Sequence, residues 1–490
     1  MVWVGKSQII SLNKIKQPAM QKSKLYTFLQ QLTHKERKTL SDFFCQPYYS
    51  QKHPQLSKLL QYLLLHLNTP EKAERQTVFD YVFPGLSYND LKLRHLAAEV
   101  LQHAEEALAA QHSISDRYYL QLQLMDMYRS RKMVKHYEGV SNSLQTLFTR
   151  DEQRNAEYYR YQYLYWRNKD LFTENRNQPE KQAYLASASD ALDVYYLSSK
   201  LRMAAEMITL KKVVESPHQM QLIAELLQAA QQNNRLQYTA VAMYYHIVMM
   251  LTEPDNQEHF DRLNHLFTTQ NNQLPPAEAR EVYYFLLNYC ATKINAGQTL
   301  FLNQIFDLYR LGLNTQLLLE GHLLSPWNYK NIVTAALRLG NYDWVHDFLH
   351  QYQSFLPHKH QKNAFTYNLA NYYFFKQDYN RVLQLLQEVS YDEVFYSLDA
   401  RSLLLKTYFE LDEYEALQSL IDSFRQWLNR TKELSKPRQQ TYRNLLYFVR
   451  KLIQLPYEKP EKRAALLAEI KNTPAIADKR WLLQQIEGNG

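Results

Sequence analysis

A group of histidine and aspartate side chains near residue 350 has the residue types of a metal site. His346 and His350 are four residues apart, so on a helix they share one face and could ligate zinc from it. Asp347, His358 and His360 complete the group, in the stretch HDFLHQYQSFLPHKH. These residues fall on the second helix of a predicted repeat and in the loop after it, where exposed polar residues are expected. We therefore predict surface or structural roles for them, with no metal and no cofactor.

The sequence lacks the motifs by which common enzyme classes are recognised. It contains no GxGxxG, GxxxxGK[ST], HExxH or GxSxG pattern, and these carry the phosphate-binding, zinc-hydrolase and serine-hydrolase chemistries. Cys45 and Cys290 are isolated from each other and from histidine clusters, so neither a zinc finger nor a disulfide framework is indicated. We expect a protein that is not an enzyme and that resides in the reducing cytoplasm.

The composition favours helices throughout the chain. Only 9 of the 490 residues are glycine, roughly a quarter of the usual share of about 7%. Tight β-turns and phosphate-binding loops need that glycine. Hydrophobic residues make up 46% of the chain, which is enough to build a core. No apolar run approaches the ~18 residues that a membrane-spanning helix needs. The sequence predicts an all-α protein.

Paired aromatic residues recur along the chain and indicate a repeat. Their first members are separated by 40, 37, 49, 39, 89, 36 and 39 residues. A period near 40 is typical of stacked helical hairpins. The interval of 89 spans two periods, so one repeat there should lack its pair. The pairs are Tyr118-Tyr119, Tyr158-Tyr159, Tyr195-Tyr196, Tyr244-Tyr245, Tyr283-Tyr284, Tyr372-Tyr373, Tyr408-Phe409 and Tyr447-Phe448.

The segment AEYYRYQYLYWRN, residues 156–168, is the most aromatic part of this pattern. As a strand it would place alternate tyrosines on one face, and aromatics next to arginine can also stack nucleic-acid bases. On a helix, Tyr158, Tyr161 and Tyr165 cluster on one side while Arg160 and Arg167 share another. We predict a helix that is buried between neighbours, with its arginines facing water.

Three turns of similar sequence divide residues 326–430 into hairpins. LGNY, KQDY and LDEY each end one apolar helical segment and precede another. In the middle hairpin, Leu369, Ala370 and Tyr373 match the large–small–aromatic pattern of the first helix of a tetratricopeptide repeat, and Tyr379 matches its second helix. Gln377 stands where that family usually has glycine. The chain thus resembles the tetratricopeptide-like helical-repeat superfamily, well over 326–430 and diffusely over 115–325. The resemblance implies a right-handed α-solenoid.

The resemblance also suggests where a partner would bind. Some family members clamp a partner's terminal carboxylate with Lys and Asn on first helices, and Lys330 and Asn368 match two such positions. Thr334, Asp399 and Leu403 occupy the other clamp positions, and Asp399 would repel a carboxylate. We therefore expect no clamp of that kind but a polar peptide-binding groove, called here the predicted groove. Its residues are Lys330, Asn331, Asn368, Asn371 and Lys406.

The first hundred residues have a different pattern. Thr33 and Glu36 form a capping box that opens a helix closed by Pro47, and further helices are predicted at Pro54 to Leu67, Thr69 to Phe83 and Tyr88 to Gln111. FFCQPYYS followed by VFDYVFPGLSYNDLKLRHLAAEVL resembles the opening of a group of uncharacterised bacterial helical-repeat proteins, which implies a capping domain. An alternative interpretation is a DNA-binding helix-turn-helix around Gly85 with Lys92 and Arg94, although its turn is longer than that motif allows.

These patterns divide the chain into five predicted segments. Residues 1–19 are an extension that is either non-native or disordered, with Met20 as the alternative start. The others are a helical N-terminal capping domain at 20–112, divergent helical hairpins at 113–325, tetratricopeptide-like repeats at 326–430 and basic C-terminal capping helices at 431–490.

The positive charge is concentrated at the two ends of the chain. The net charge is +8, and residues 430–480 hold 13 Lys and Arg against 5 Asp and Glu. We predict a scaffold or adaptor that binds a protein or peptide on the concave surface of the solenoid. The alternative is a nucleic-acid-binding protein that uses the basic C-terminal region, where phosphate contacts would make binding salt-sensitive. Its candidate residues are Arg438, Arg443, Arg450, Lys451, Lys462 and Arg463.

Overall fold

Helices account for nearly all of the chain that the structure describes. The structure is a computed structural model, and it describes residues 20–173, 179–211, 221–232, 234–390, 394–455 and 460–487. Over these residues a single two-stranded hairpin is the only β-structure, so the predicted all-α fold is confirmed. The predicted extension at 1–19 lies outside the described residues. Two compact units share the chain, one formed by 1–152 and 157–193 and the other by 153–156 and 194–490.

The first unit is built of helices joined mostly by short turns. Its helices are α1 (Lys24–Gln31), α2 (His34–Phe44), α3 (Pro54–Leu65), α4 (Arg75–Val82), α5 (Asp90–Ser115), α6 (Arg117–Ser130), α7 (Val134–Arg150), α8 (Ala156–Phe172) and the first part of α9 (Pro179–Lys211). Short turns of other helix types lie at Met20–Lys22, Tyr48–Lys52 and Pro70–Ala73.

The predicted start of α2 is confirmed in atomic detail. The Thr33 backbone amide donates to Glu36 Oε2 at 2.7 Å, and the Glu36 amide donates back to Thr33 Oγ1 at 3.3 Å. The helix predicted over Thr69 to Phe83 is wrong in its first part. A 3₁₀ turn ends at Ala73, and Glu74 has an extended backbone with ψ of 138° before α4 begins, which is incompatible with a continuous helix.

The tyrosine-rich segment 156–168 is helical, as predicted. Tyr165 is buried, and Tyr161 stacks on Tyr118 of α6 with ring centroids 5.1 Å apart. Arg160 pairs with Glu157 at 2.7 Å, and Arg167 pairs with an aspartate one turn further along α8. The aromatic side chains therefore lie between helices, while the arginines form ion pairs at their edge.

The second unit contains the remaining helices and the β-hairpin. They are the rest of α9, then α10 (Ile223–Gln232), α11 (Thr239–Thr252), α12 (Gln257–Gln270), α13 (Pro276–Asn295), α14 (Phe301–Asn314), β1 (Leu319–Glu320), β2 (Leu323–Leu324), α15 (Pro326–Arg338), α16 (Tyr342–Tyr352), α17 (His358–Phe375), α18 (Tyr379–Glu388), α19 (Val394–Glu410), α20 (Tyr414–Arg430), α21 (Lys436–Ile453), α22 (Pro460–Asn472) and α23 (Lys479–Glu487).

Successive helices of this unit pack as hairpins. α11 packs on α12, and α13 on α14; the pairs α15–α16, α17–α18 and α19–α20 follow. The first helices of neighbouring hairpins are also in contact: α15 packs against α17, and α17 packs against α19. This is the contact pattern of a helical-repeat array. The right-handed twist of the array and the five predicted segments stay predictions.

One turn geometry joins the two helices in each of the last three of these hairpins. Gly340, Gln377 and Asp412 have left-handed backbone conformations with φ of 76°, 60° and 58°. In each turn the next amide donates to the carbonyl five residues earlier, as Asp378 does to Tyr373 at 3.0 Å. This is the Schellman end of a helix. Lys132 adopts it between α6 and α7, so the same turn recurs where the sequence pattern is weak.

Four aromatic pairs of this unit lie on the first helices of these hairpins, and two more lie on α9 and α21. α11, α13, α17 and α19 carry those four pairs, whereas α15 has Ala335 and Ala336 in that register. The prediction that one repeat lacks its pair is therefore confirmed. Ala336 and Ala370 are fully buried, which is consistent with a small residue where the two helices of a hairpin approach closely.

Candidate functional site

The predicted groove residues lie on the first helices of three successive hairpins. Lys330 and Asn331 are on α15, Asn368 and Asn371 on α17, and Lys406 on α19. The repeat register places them as the sequence pattern indicated. Their surroundings decide what each side chain is available to bind.

Lys330 is already paired with a carboxylate of the chain. Its ammonium forms an ion pair with Asp399 of α19, and only 19% and 14% of the two side chains are exposed. The pair joins the first and third of the three hairpins. The aspartate that was expected to repel a partner's carboxylate thus neutralises the lysine that would have attracted it.

The two asparagines of α17 are covered. Asn368 is fully buried and Asn371 nearly so. The Asn368 amide donates to the Ala364 carbonyl at 2.8 Å, and its Oδ1 has no hydrogen-bond partner among the described residues. Asn331 is exposed. The binding role of the predicted groove stays a prediction, and among its asparagines only Asn331 is exposed.

Lys406 contacts the C-terminal segment, defined here as residues 474–487. Asp478 accepts hydrogen bonds from Lys406 Nζ at 2.9 Å and from Ser402 Oγ at 2.5 Å. Desolvation would raise the pKa of Asp478, but Lys406 and Ser402 together hold that pKa below its ordinary value. A partner that uses Lys406 must therefore compete with this aspartate.

The same segment packs along the rest of α19. Trp481 Nε1 donates to Glu410 Oε1 at 2.8 Å, and Gln485 Nε2 donates to the same oxygen at 2.6 Å. The Trp481 ring meets Phe409 edge to face at 5.2 Å. One face of α19 thus already holds a peptide segment through an acidic group and an aromatic ring.

An open cavity of about 450 Å³ lies beside the Lys330–Asp399 pair. Trp327 and Leu323 form its exposed apolar walls, with 45% and 43% of their surfaces accessible. Pro326, Pro357 and Tyr396 extend those walls, and Glu320, Leu324, Ser325 and His360 complete the lining. The cavity therefore adjoins the predicted groove at Lys330 but is largely apolar.

A β-hairpin forms one rim of this cavity. Leu319 pairs with Leu324, and the two turn residues Gly321 and His322 have φ of 55° and 71°, as a two-residue type I′ turn requires. Arg280 of α13 donates to the carbonyls of Leu317 and Leu319, at 3.0 Å each. Sequence reasoning missed this hairpin; the signal was a glycine between two leucine-rich runs.

The histidine group near residue 350 does not converge on one point. His346 and His350 contact each other with ring centroids 4.7 Å apart, and His350 also packs against Phe365. Among the described residues no group of three or more His, Cys, Asp or Glu side chains is placed to hold a metal ion.

The two cysteines lie in opposite environments. Cys290 is fully buried in α13, and burial raises the pKa of its thiol to about 12. Cys45 is exposed, and the Gln61 amide lies 3.0 Å from its sulfur. A thiol held protonated at neutral pH is a poor nucleophile.

In the part of the chain that the structure describes, no helix is both long and apolar enough to cross a membrane.

Several basic residues near the C-terminus are paired within the chain. Lys451 pairs with Glu469 at 2.7 Å, and Arg463 donates to the Ile486 carbonyl at 3.0 Å. Arg450 pairs with Asp422 at 2.5 Å. Asp422 and Glu469 offset two of these positive charges, and the Ile486 carbonyl occupies a donor of Arg463.

Comparison with known proteins identifies no family or relative to which this chain can be assigned. No family model and no curated protein matches the chain. A chain in the crystal structure of the APC/C hetero-tetramer Cut9-Hcn1 is similar over 92% of this chain and 90% of the matched chain, at 12% sequence identity and a TM-score of 0.27. A likeness at that TM-score carries no conclusion about this protein.

Proposed function

We propose that this protein is a non-enzymatic scaffold or adaptor of the cytoplasm that binds a short peptide segment of a partner protein. The observation that carries the proposal is the cavity of about 450 Å³ beside Lys330 and Asp399. Peptide and small-ligand sites are concave, mostly apolar and fitted with a few polar groups. The cavity has each of these properties, and it adjoins the predicted groove.

The residues that line the cavity indicate which peptide side chains would fit it. Trp327 and Leu323 form accessible apolar walls, which fit one large aliphatic or aromatic side chain. Lys330 and Asp399 neutralise each other, whereas the Glu320 carboxylate at the rim has no ion-pair partner among the described residues. The peptide we propose therefore presents an apolar anchor next to a lysine or arginine.

The contact between α19 and the chain's own C-terminal segment supports this function. Asp478 and Trp481 dock there through a charge-assisted hydrogen bond and a buried ring. An acidic group next to an aromatic ring is thus one peptide chemistry that first helices of this unit accommodate. The cavity is the neighbouring part of that surface left open.

Peptide display on the full chain tests the proposal. Enriched peptides should share an apolar anchor with a basic neighbour, and Trp327→Ala should weaken their binding at least 10-fold. Glu320→Lys should weaken it less and should reduce its dependence on salt. The matched control is Tyr414→Ala, which removes an aromatic ring of α20 that is also 45% exposed. Equal effects of the Trp327 and Tyr414 variants, or no enrichment at all, would rule the cavity out.

The nucleic-acid alternative stays a prediction without a supporting contact of its own. Arg450, Lys451 and Arg463 are engaged by groups of the chain, which weakens the case for a continuous phosphate-binding stripe. The resemblance of the first hundred residues to uncharacterised bacterial helical-repeat proteins likewise stays a prediction.

A further inference from the structure

Three arginines converge on a second cavity, between the last repeat hairpin and the helix that follows it. Arg425 of α20 and Arg443 and Arg450 of α21 line a space of about 390 Å³. Buried Ile421 and Leu446 form its apolar walls, and the exposed ring of Tyr447 lies at its rim. The cavity is separate from the proposed peptide site on α15, α17 and α19.

The positive charge of this cavity is only partly compensated. Arg450 pairs with Asp422 at 2.5 Å. Arg443 donates to neutral amides, at 2.9 Å to Asn429 Oδ1 and 3.4 Å to Gln439 Oε1. Arg425 has no carboxylate partner among the described residues. Because guanidinium groups stay protonated in proteins, three cations face one anion, and an additional anion would relieve their repulsion.

The hydrogen-bonding capacity of the arginines is also unfilled. Each guanidinium has five N–H donors, and the described contacts use few of them. Arg450 Nε is buried without an acceptor among the described residues. The amide nitrogens of two lining residues already donate within the chain, Asn444 to the Ala475 carbonyl at 2.7 Å and Gln440 to Asn444 at 2.8 Å. The donors left on the arginines therefore suit a ligand with several acceptor oxygens.

We propose that this cavity binds a phosphate monoester dianion. Guanidinium groups pair in bidentate fashion with phosphate oxygens, and three of them suit a doubly charged group better than a single carboxylate. The space exceeds that of the phosphate alone, so Leu446 and Tyr447 would contact the group that carries it. The phosphate belongs either to a phosphorylated side chain of a partner protein or to a free small ester.

Calorimetric titration of the full chain at low salt tests this site. The probes are phosphotyrosine and phosphoserine peptides, their unphosphorylated forms, adenosine monophosphate and inorganic phosphate. Binding of the phosphorylated peptides above the free esters identifies a partner protein as the source, and the reverse order identifies a small ligand. Arg443→Gln and Arg425→Gln should each weaken binding at least 5-fold. Because Arg425 is exposed, its variant should fold normally, which a thermal melt will show.

One control variant and two further outcomes of the titration keep the proposal open to failure. Arg430→Gln removes one exposed positive charge from α20, the helix of Arg425, at a position outside the cavity. It should leave the affinity for the phosphorylated probe within 2-fold of the wild-type value. Equal losses for Arg430 and Arg443 variants would show an effect of overall charge and overturn the site. Absence of heat with every phosphorylated probe would do the same. Tighter binding of single-stranded RNA, with a salt slope above that of one phosphate, would replace the proposal with nucleic-acid recognition.

Discussion

Gly312 lies in α14 where Tyr283 of the neighbouring helix leaves no space for a side chain. A Cβ at residue 312 would lie 2.6 Å from Tyr283 Cζ and 2.9 Å from Leu318 Cγ. The tyrosine cannot move freely, because its hydroxyl donates to the Leu308 carbonyl at 2.9 Å. We expect Gly312→Ala to lower the free energy of unfolding by about 2 kcal/mol through overpacking, measured by urea denaturation.

Gly139 is the matched control for this substitution. It lies inside α7, and a Cβ there would meet nothing within 4 Å. Gly139→Ala should raise the free energy of unfolding by roughly 0.5–1 kcal/mol, because alanine is the better helix former. If both variants shift stability in the same direction, the contact of Gly312 with Tyr283 is not what constrains that position.

His246 in α11 makes stability depend on pH. Its Nδ1 lies 3.0 Å from His259 Nδ1 of α12. Burial, with smaller contributions from His259 and Arg262, lowers the pKa of His246 from 6.5 to about 4. His246 therefore binds a proton more tightly in the unfolded chain than in the folded protein. The stability from neutral His246 is complete above pH 6.5 and is lost as the pH falls toward 4, by roughly 3 kcal/mol in total.

Comparison with His246→Gln isolates this effect, since glutamine does not titrate. Between pH 6.5 and 5 the wild type should lose up to about 1.4 kcal/mol more per pH unit than the variant, in urea midpoints followed by circular dichroism. Carboxylates contribute little to the difference, because both proteins carry the same ones. Parallel curves for the two proteins would contradict a depressed pKa at His246.

Among the elements, the helix-ending turns carry the clearest prediction. Gln377 and Asp412 occupy the left-handed region at φ of 60° and 58°, where Gly340 stands in the preceding hairpin at 76°. A side chain costs roughly 1 kcal/mol in that region. Gln377→Gly should therefore stabilise the protein by up to about 1 kcal/mol, and Gly340→Ala should destabilise it by a similar amount, read from thermal melts. The two substitutions should change the melting temperature in opposite directions. A change in the same direction would contradict the cost assigned to a side chain in the left-handed region.

The turns also show how much of the fold the local sequence pattern predicts. LGNY, KQDY and LDEY predicted three hairpins because a tyrosine follows each turn at a constant position. The turn at Lys132 has the same geometry but neither glycine nor a following tyrosine, so its residues carried no signal. A left-handed residue other than glycine is fixed by the helices that it joins, and a single sequence does not contain that information.

At the scale of the whole molecule, contacts between distant residues determined which groove residues are free. Register placed Lys330 and Asn368 on first helices. The register does not predict that Lys330 pairs with Asp399, which is 69 residues away in the sequence. It also does not predict that the C-terminal segment packs against Lys406, which is 72 residues away from its partner Asp478. The β-hairpin beside the open cavity was missed for a related reason: two short strands give too little alternation to stand out among leucine-rich helices.

The C-terminal segment and the open cavity each contain a tryptophan, and the two should behave differently when removed. Trp481 is buried and donates to Glu410 at 2.8 Å, so Trp481→Ala should lower the free energy of unfolding by about 3 kcal/mol or more. Trp327 is 45% exposed, so Trp327→Ala should change stability by less than about 1 kcal/mol while weakening peptide binding. Urea denaturation beside peptide titration gives both readouts on the same samples. Similar losses of stability in the two variants would contradict the docking of the C-terminal segment on α19, and unchanged peptide binding by Trp327→Ala would place the peptide elsewhere.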